Sequence, residues 1–190
     1  MMVGVLSLQG DFKEHLASLE QHGMKGLEVR TKDDLRRVDA LILPGGESTT
    51  ISKLLVSTGL DEAIVDRVQK GMPVWGTCAG AILLSKKVIT NVPLDTHLKL
   101  IDVEMERNSY GRQTESFITA LEWDQDSFQA FFIRAPRVRK VGRGVKVLLE
   151  YKNDPVLLRS KNVLISTFHT ELFFPNRVLE YFVRMGGEGS

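Results

Sequence analysis

The chain of 190 residues contains a single cysteine, Cys78. One thiol excludes an internal disulfide and any multi-cysteine metal site, and it fits a reducing cytoplasm. Long apolar runs are also missing, since no stretch approaches the ~18 residues a membrane helix requires. The N-terminal "MMVGVLSLQGDFKEH" has no basic leader and its apolar run ends at Leu8, so it reads as a first strand rather than a secretion signal. Nor does either sign of charge dominate. The net charge of +1 gives no whole-molecule reason to bind nucleic acid or an acidic membrane. Repeats, linkers and low-complexity tracts are absent too. What remains is 43% hydrophobic and 26% charged, the composition of a soluble globular protein. A chain of this length can bury roughly 70% of its unfolded surface without staples. The expectation is one domain over residues 1–185, with 186–190 ("GGEGS") as a loose tail.

Within the domain, apolar runs of strand length alternate with segments of helical period. "VGVLSL" (3–8), "GLEVR" (26–30), "DALILP" (39–44) and "MPVWG" (72–76) read as strands. "DFKEHLASLEQHG", "TTISKLLVSTG" and "LDEAIVDRVQKG" read as the helices between them, and "AGAILLSKKV" has helical composition. Phe12, Leu16 and Leu19 mark one face of the first helix. Strand and helix in this order predict an α/β fold, a parallel sheet with right-handed crossovers and helices on both faces. After about residue 98 the texture changes to strand-like segments with short connections, which predicts an antiparallel or mixed portion added to the sheet. "FPNRVLEYFVRMGG" supplies a last helix, opened by Pro175 and closed by Gly186.

In open parallel sheets, ligands bind beyond the carboxyl ends of the strands. "GTCAG" follows Val74-Trp75, "PGGEST" follows Leu41–Leu43, and "HTEL" follows Val163–Phe168, so a thiol, a glycine pair and a His-x-Glu pair share one sheet edge. Gly76-Thr77-Cys78-Ala79-Gly80 has the form of a nucleophile elbow, a sharp strand-to-helix turn that exposes its central residue. A helix beginning at Ala79 directs free N–H groups at the sulfur, and the Ala79 N–H can serve as an oxyanion donor. A buried structural cysteine is the plainer alternative, which the glycine flanks oppose. Among four histidines, His15 and His22 lie in the first helix as solvated or half-buried residues, and His97 lies on a loop. His169 follows a strongly apolar strand, and Glu171 two residues on falls on the same side of an extended chain. In "LPGGESTT", Ser48 or Thr49 can cap the next helix, and Gly46 is a natural second oxyanion donor. The basic stretch 134–146 and the arginines of "ERNSYGRQ" read as solvated rims, an anionic small-molecule pocket or a docking face.

Taken together, "GVLSLQGDFKEH", "LILPGGESTT", "WGTCAGAILL", "ERNSYGRQTESF", "FIRAP" and "STFHTEL" resemble, in order and spacing, the glutaminase subunits of pyridoxal 5'-phosphate synthase. These belong to the class I (triad) glutamine amidotransferases. The resemblance runs from near Val3 to near Leu172. It implies a three-layer α/β/α, flavodoxin-like fold with a mostly parallel, mixed central sheet. It further implies Cys78 as nucleophile, His169 as general base and acid, and Glu171 as its orienting partner. Gly46, Glu47 and Ser48 match the glutamine-binding loop, with the Gly46 and Ala79 N–H groups as oxyanion hole. Arg107, Ile133 and Arg134 match substrate-holding positions, while Gln9 and Gly10 sit where the family meets its synthase partner.

Neither a metal nor a cofactor is implied. The implied activity is hydrolysis of L-glutamine, with the ammonia passed to a subunit that builds pyridoxal 5'-phosphate from ribose 5-phosphate and glyceraldehyde 3-phosphate. Docking of that partner is expected to complete the oxyanion hole, leaving the free chain nearly idle. Two departures stand out: Thr170 replaces a customary proline that would stiffen the turn, and Tyr110 a customary phenylalanine. The rival readings are a glutaminase serving another ammonia acceptor, and a redox-sensing or binding module with an elbow cysteine that turns over nothing.

Overall fold

Strand β3 (Ala40–Leu43) shows how the layers arise. All four of its residues are fully buried: Ala40 and Ile42 belong to one apolar core, Leu41 and Leu43 to another. A strand buried on both faces must lie inside a sheet covered on both sides. In the computed structural model, which describes residues 1–107 and 116–187, that sheet has seven strands. They are β1 (Met2–Leu6), β2 (Lys25–Val29), β3, β4 (Val74–Thr77), β10 (Lys146–Tyr151), β11 (Asp154–Ser160) and β12 (Val163–Ser166), in the order β10-β11-β12-β4-β3-β1-β2. Strands β2, β1, β3, β4 and β12 run parallel, and β11 and β10 close one edge antiparallel.

Helices α1 (Phe12–Gln21) and α6 (Arg177–Gly187) cover one face. Helices α2 (Lys32–Arg36), α3 (Ser48–Thr58), α4 (Leu60–Gln69) and α5 (Ala79–Leu84) cover the other. The α/β class and the mixed, mostly parallel sheet expected from the sequence are present. No helix among the described residues is long and apolar enough to cross a membrane.

Three local expectations need correction, and one helix went unread. The segment 79–88 does not continue as a helix: it leaves α5 at Leu84 and becomes β5 (Ser85–Ile89). Its apolar run ends there, and pairing with β6 (Ile101–Glu106) satisfies the backbone that emerges at the rim. The later strands are not all added to the main sheet. Strands β5, β6 and β9 (Arg137–Val141) form a sheet of their own, and β7 (Phe117–Trp123) with β8 (Asp126–Phe132) forms a separate hairpin. Helix α2 went unread although Thr31 and Asp34 close a reciprocal capping box at its start. Lastly, α6 runs through Gly187, two residues into the expected tail; a Cβ on Gly186 would lie 3.2 Å from the Met1 sulfur. Residues 188–190 lie outside the described residues, as do Tyr110 and Arg112.

Candidate active site

Between the ends of β4, β3 and β12 lies a pocket of about 310 Å³, within the usual range for small-ligand sites. It is lined by Gly46, Glu47, Ser48, Cys78, Ala79, Arg107, Ile133, Arg134, His169 and Glu171, among others. Ten of the twelve residues named from the sequence thus meet at one cavity; Gln9 and Gly10 stand beside it.

Cys78 sits at the junction of β4 and α5 with φ 48° and ψ −101°, a conformation that side chains rarely adopt and that costs on the order of 1–3 kcal/mol. The strain is held by close packing. A Cβ on Gly80 would lie 2.0 Å from the Leu43 carbonyl oxygen, and one on Gly76 2.6 Å from the Gly80 carbonyl, so the helix can approach the sheet only with glycine at both places. The Cys78 N–H donates to Ser166 O at 2.9 Å, pinning the turn to β12. The N–H of Ala79 opens the first turn of α5, where N–H groups have no acceptor within the helix.

The other side of the pocket is His169, whose Nδ1 lies 2.5 Å from Glu171 Oε1, both residues being buried. Glu171 Oε2 accepts the Thr170 N–H at 2.9 Å, a donor that proline could not supply. Burial alone would keep the His169 ring neutral. Glu171 and the nearby Cys78 sulfur outweigh burial and hold its pKa well above the ordinary histidine value. Burial likewise opposes ionisation of Glu171, but the facing histidines lower its pKa to about 2. Nε2 of His169 has no hydrogen-bond partner among the described residues although it is buried. It is the nitrogen left for a reacting group.

Gly46, at φ 150°, brings the loop after β3 against Gln9 and Gly10: a Cβ there would stand 2.7 Å from Gln9 Oε1. Gln9 Oε1 accepts the Glu47 N–H at 2.8 Å, so Gln9 holds this loop from the side, a role beyond the partner contact expected of it. Ser48 opens α3 rather than capping it. Glu47 takes the cap position without a capping bond, and the buried Ser48 hydroxyl has no partner among the described residues. Arg107 pairs with Glu47 at 2.5 Å across the pocket mouth. Arg134, at φ 42°, is a second strained backbone position beside Ile133. Elsewhere in the basic stretch, Arg137 pairs with Asp154 and Arg139 with Glu106, so two of its six cations are balanced from outside it.

Sequence reasoning placed the first helix but missed the face it buries. The stripe that α1 buries is His15, Ser18 and Leu19, whereas Phe12 and Leu16 are only half-buried. His15 is 1% exposed, with Nε2 3.2 Å from Thr77 Oγ1 and 3.7 Å from Glu171 Oε1. Its position three residues after Phe12 and four before Leu19, on an apolar face, was the available signal. Asp11 also lines the pocket, its Oδ2 3.6 Å from His169 Nδ1; burial raises its pKa and His169 partly offsets that. Asp11, His169 and Glu171 offer ligand atoms within 4.8 Å of one another. Two of those atoms are already joined by the 2.5 Å hydrogen bond, which is triad geometry rather than a coordination shell.

Residues 5–188 match the SNO glutamine amidotransferase family. The chain belongs to that family. Among its relatives, the pyridoxal 5'-phosphate synthase subunit PdxT of Thermosipho africanus is 46% identical over 187 residues, covering 97% of this chain and 98% of the relative. The subunit of the same name from Thermotoga maritima is 46% identical over 188 residues, covering 97% and 99%. A solved glutamine amidotransferase superposes with a TM-score of 0.92 at 45% identity, covering 97% of this chain and 98% of its own. PurLQS from Thermotoga maritima shares the fold at a TM-score of 0.70 and 16% identity.

Proposed function

We propose that this chain hydrolyses L-glutamine through Cys78, His169 and Glu171 and delivers the ammonia to a synthase subunit that forms pyridoxal 5'-phosphate. The observation that carries the chemistry is the alignment of an elbow thiol with a buried His169–Glu171 pair across one pocket. Its assignment to vitamin B6 synthesis rests on identity to PdxT subunits over nearly the full chain. The lone thiol agrees with work in a reducing cytoplasm.

In this mechanism the Cys78 sulfur attacks the side-chain amide carbon of glutamine. The C–S bond forms as the carbonyl π pair moves onto oxygen, where the Gly46 and Ala79 N–H groups stabilise it. The imidazolium of His169 protonates the amide nitrogen at Nε2. The C–N bond breaks, ammonia leaves, and a γ-glutamyl thioester remains. His169, now neutral, takes a proton from water as the hydroxyl attacks the thioester. Collapse of that second intermediate releases glutamate and the Cys78 sulfur. Glu171 stays ionised throughout and holds the ring with Nδ1–H toward itself and Nε2 toward the reacting atoms. Glu47, Arg107 and Arg134 at the mouth offer one anionic and two cationic groups for the α-ammonium and α-carboxylate of the substrate.

Docking of the synthase subunit completes the oxyanion hole, acting on the loop that Gln9 and Gly10 hold. The test is glutamate release from L-glutamine by the purified chain with and without that subunit. Strong release only with the partner is expected. Efficient release without it would refute the gating, and no release from a proven complex would favour a sensing or binding module.

A further inference from the structure

His15 is a fully buried ionisable side chain that the mechanism above does not use. It projects from α1 into the space between the two halves of the site, where its Nε2 meets Thr77 Oγ1 at 3.2 Å and lies 3.7 Å from Glu171 Oε1. Thr77 precedes the nucleophile and Glu171 orients the base, so one ring touches both elements that must stay in register. The ring is itself fixed, standing edge-on to Trp75 at 5.5 Å and 90°, while Trp75 Nε1 donates to Ser166 Oγ at 3.1 Å.

We infer that His15 is a positioning residue for the triad: its Nε2–H edge, anchored on Thr77, faces the Glu171 carboxylate and fixes the acid that fixes His169. The donor must be uncharged for this to work. A second imidazolium beside Glu171 would compete with His169 for one carboxylate and discourage the positive charge that His169 carries. Burial lowers the His15 pKa more than Glu171 raises it, so the ring is neutral at neutral pH and the single cation of the cluster resides on His169. The other ionisable groups facing the pair are Asp11, Glu14 and Cys78. His15 contributes a fixed dipole, not a proton.

This inference rests on the proposed Cys78–His169–Glu171 reading, and the test separates the two. Kinetics are measured on the chain assembled with its synthase subunit, for His15→Phe, His15→Gln, Glu171→Gln and the double variants, with melting temperatures alongside. His15→Phe keeps bulk but removes the donor, and kcat should fall about 10–100-fold, as loss of a group that orients a catalytic ligand does elsewhere. KM for glutamine should change less than about twofold, because the ring does not reach substrate. His15→Gln restores a donor and should recover most of the loss. In the Glu171→Gln background, His15→Phe should cost less than about a further twofold, since its route of action has been removed.

Wild-type kcat in a folded His15→Phe variant, beside an impaired Glu171→Gln, would overturn the inference alone. So would an equal loss in both backgrounds, which would mark His15 as packing only. An active Glu171→Gln enzyme would overturn the triad reading and the inference with it. If the phenylalanine variant does not fold, His15→Leu, which also removes the donor, replaces it in the cycle with Glu171→Gln, and the same criterion of non-additivity decides.

Discussion

The two sides of the pocket are built by different means. Cys78 is presented by β4, a one-residue turn and α5, elements that follow one another directly in the chain. His169 and Glu171 lie instead on the irregular segment between β12 and α6, and what holds them comes from distant parts of the chain: His169 exchanges two 2.9 Å backbone hydrogen bonds with Phe131 of β8, and the end of α1 packs against the rest. His15 faces Glu171, and His22 Nε2 accepts the Asn176 N–H at 3.1 Å from 154 residues away. Asn176 Nδ2 also donates to Ser18 Oγ at 3.1 Å. The nucleophile is therefore placed by local geometry, the acid–base pair by tertiary contacts. Damage to the first side should destroy chemistry outright or break the strand–helix contact. Damage to the second should loosen alignment and leave the binding of glutamine nearly intact.

The largest effect follows from removing the sulfur. Cys78→Ala should lower glutamine turnover by at least about 10⁴-fold, since no other group can form the thioester. Trapping with labelled glutamine should detect no covalent adduct. Stability should stay within about 1 kcal/mol of the parent, because the residue contributes little packing and sits at a strained φ.

Gly80→Ala probes the packing that the elbow depends on. Its Cβ would meet the backbone oxygen of Leu43 at 2.0 Å, and strand β3 is fully buried and cannot retreat. A loss of about 3 kcal/mol by urea denaturation is expected. A neutral outcome would show that α5 can slide, and that the elbow is less rigid than its geometry implies.

Acid pH probes the second side. The Glu171 pKa falls from 4.5 when free to about 2 in the fold. Its contribution is thus present above pH 4.5 and is lost as pH drops toward 2, about 3 kcal/mol over that window. His169 reports the same ion pair from the other end: its raised pKa adds stability below pH 6.5 that fades as pH rises through the raised value. The Glu171–His169 contact appears in both and counts once, while His15 also lowers the Glu171 pKa. His15 has the opposite sign, since the fold prefers it neutral and loses stability as pH falls below 6.5. Urea titrations should therefore show Glu171→Gln flattening the curve between pH 4.5 and 2, and His15→Gln flattening it just below 6.5.

How much of this was legible beforehand follows from the same contrast. The elbow could be read because its signal is contiguous: glycines at 76 and 80 around Cys78, between an apolar strand and an apolar helix. The parallel half was legible for the same reason, each apolar run being short and bounded by turn residues. Helix α1 misled because its buried stripe is partly polar. His15 and Ser18 look solvent-facing until Thr77 and Asn176, far along the chain, supply their partners. In the basic stretch the partners of Arg137 and Arg139, Asp154 and Glu106, lie outside the segment, so those pairings were not readable from it. Local patterns announce local geometry; polar residues buried by distant partners show only in the apolar face they share.

Asn176 offers the smallest and most discriminating test of that lesson. It precedes α6, where its Oδ1 accepts the Leu179 N–H at 3.1 Å as an N-cap, and it is 1% exposed. Its backbone N–H and side-chain Nδ2 reach His22 and Ser18, so one residue joins α1, α6 and the end of the triad segment. Asn176→Ala should cost about 2 kcal/mol, the upper range for a lost cap, because the Ser18 hydroxyl loses its partner as well. Asn176→Ser keeps a capping oxygen but is too short to serve Ser18, and should recover roughly half. If the tertiary clamp governs alignment, kcat in Asn176→Ala should fall by less than about tenfold with KM for glutamine unchanged. A full-rate, fully stable alanine variant would mean that the triad segment is held by His15 and the Phe131 backbone pair without the Asn176 clamp.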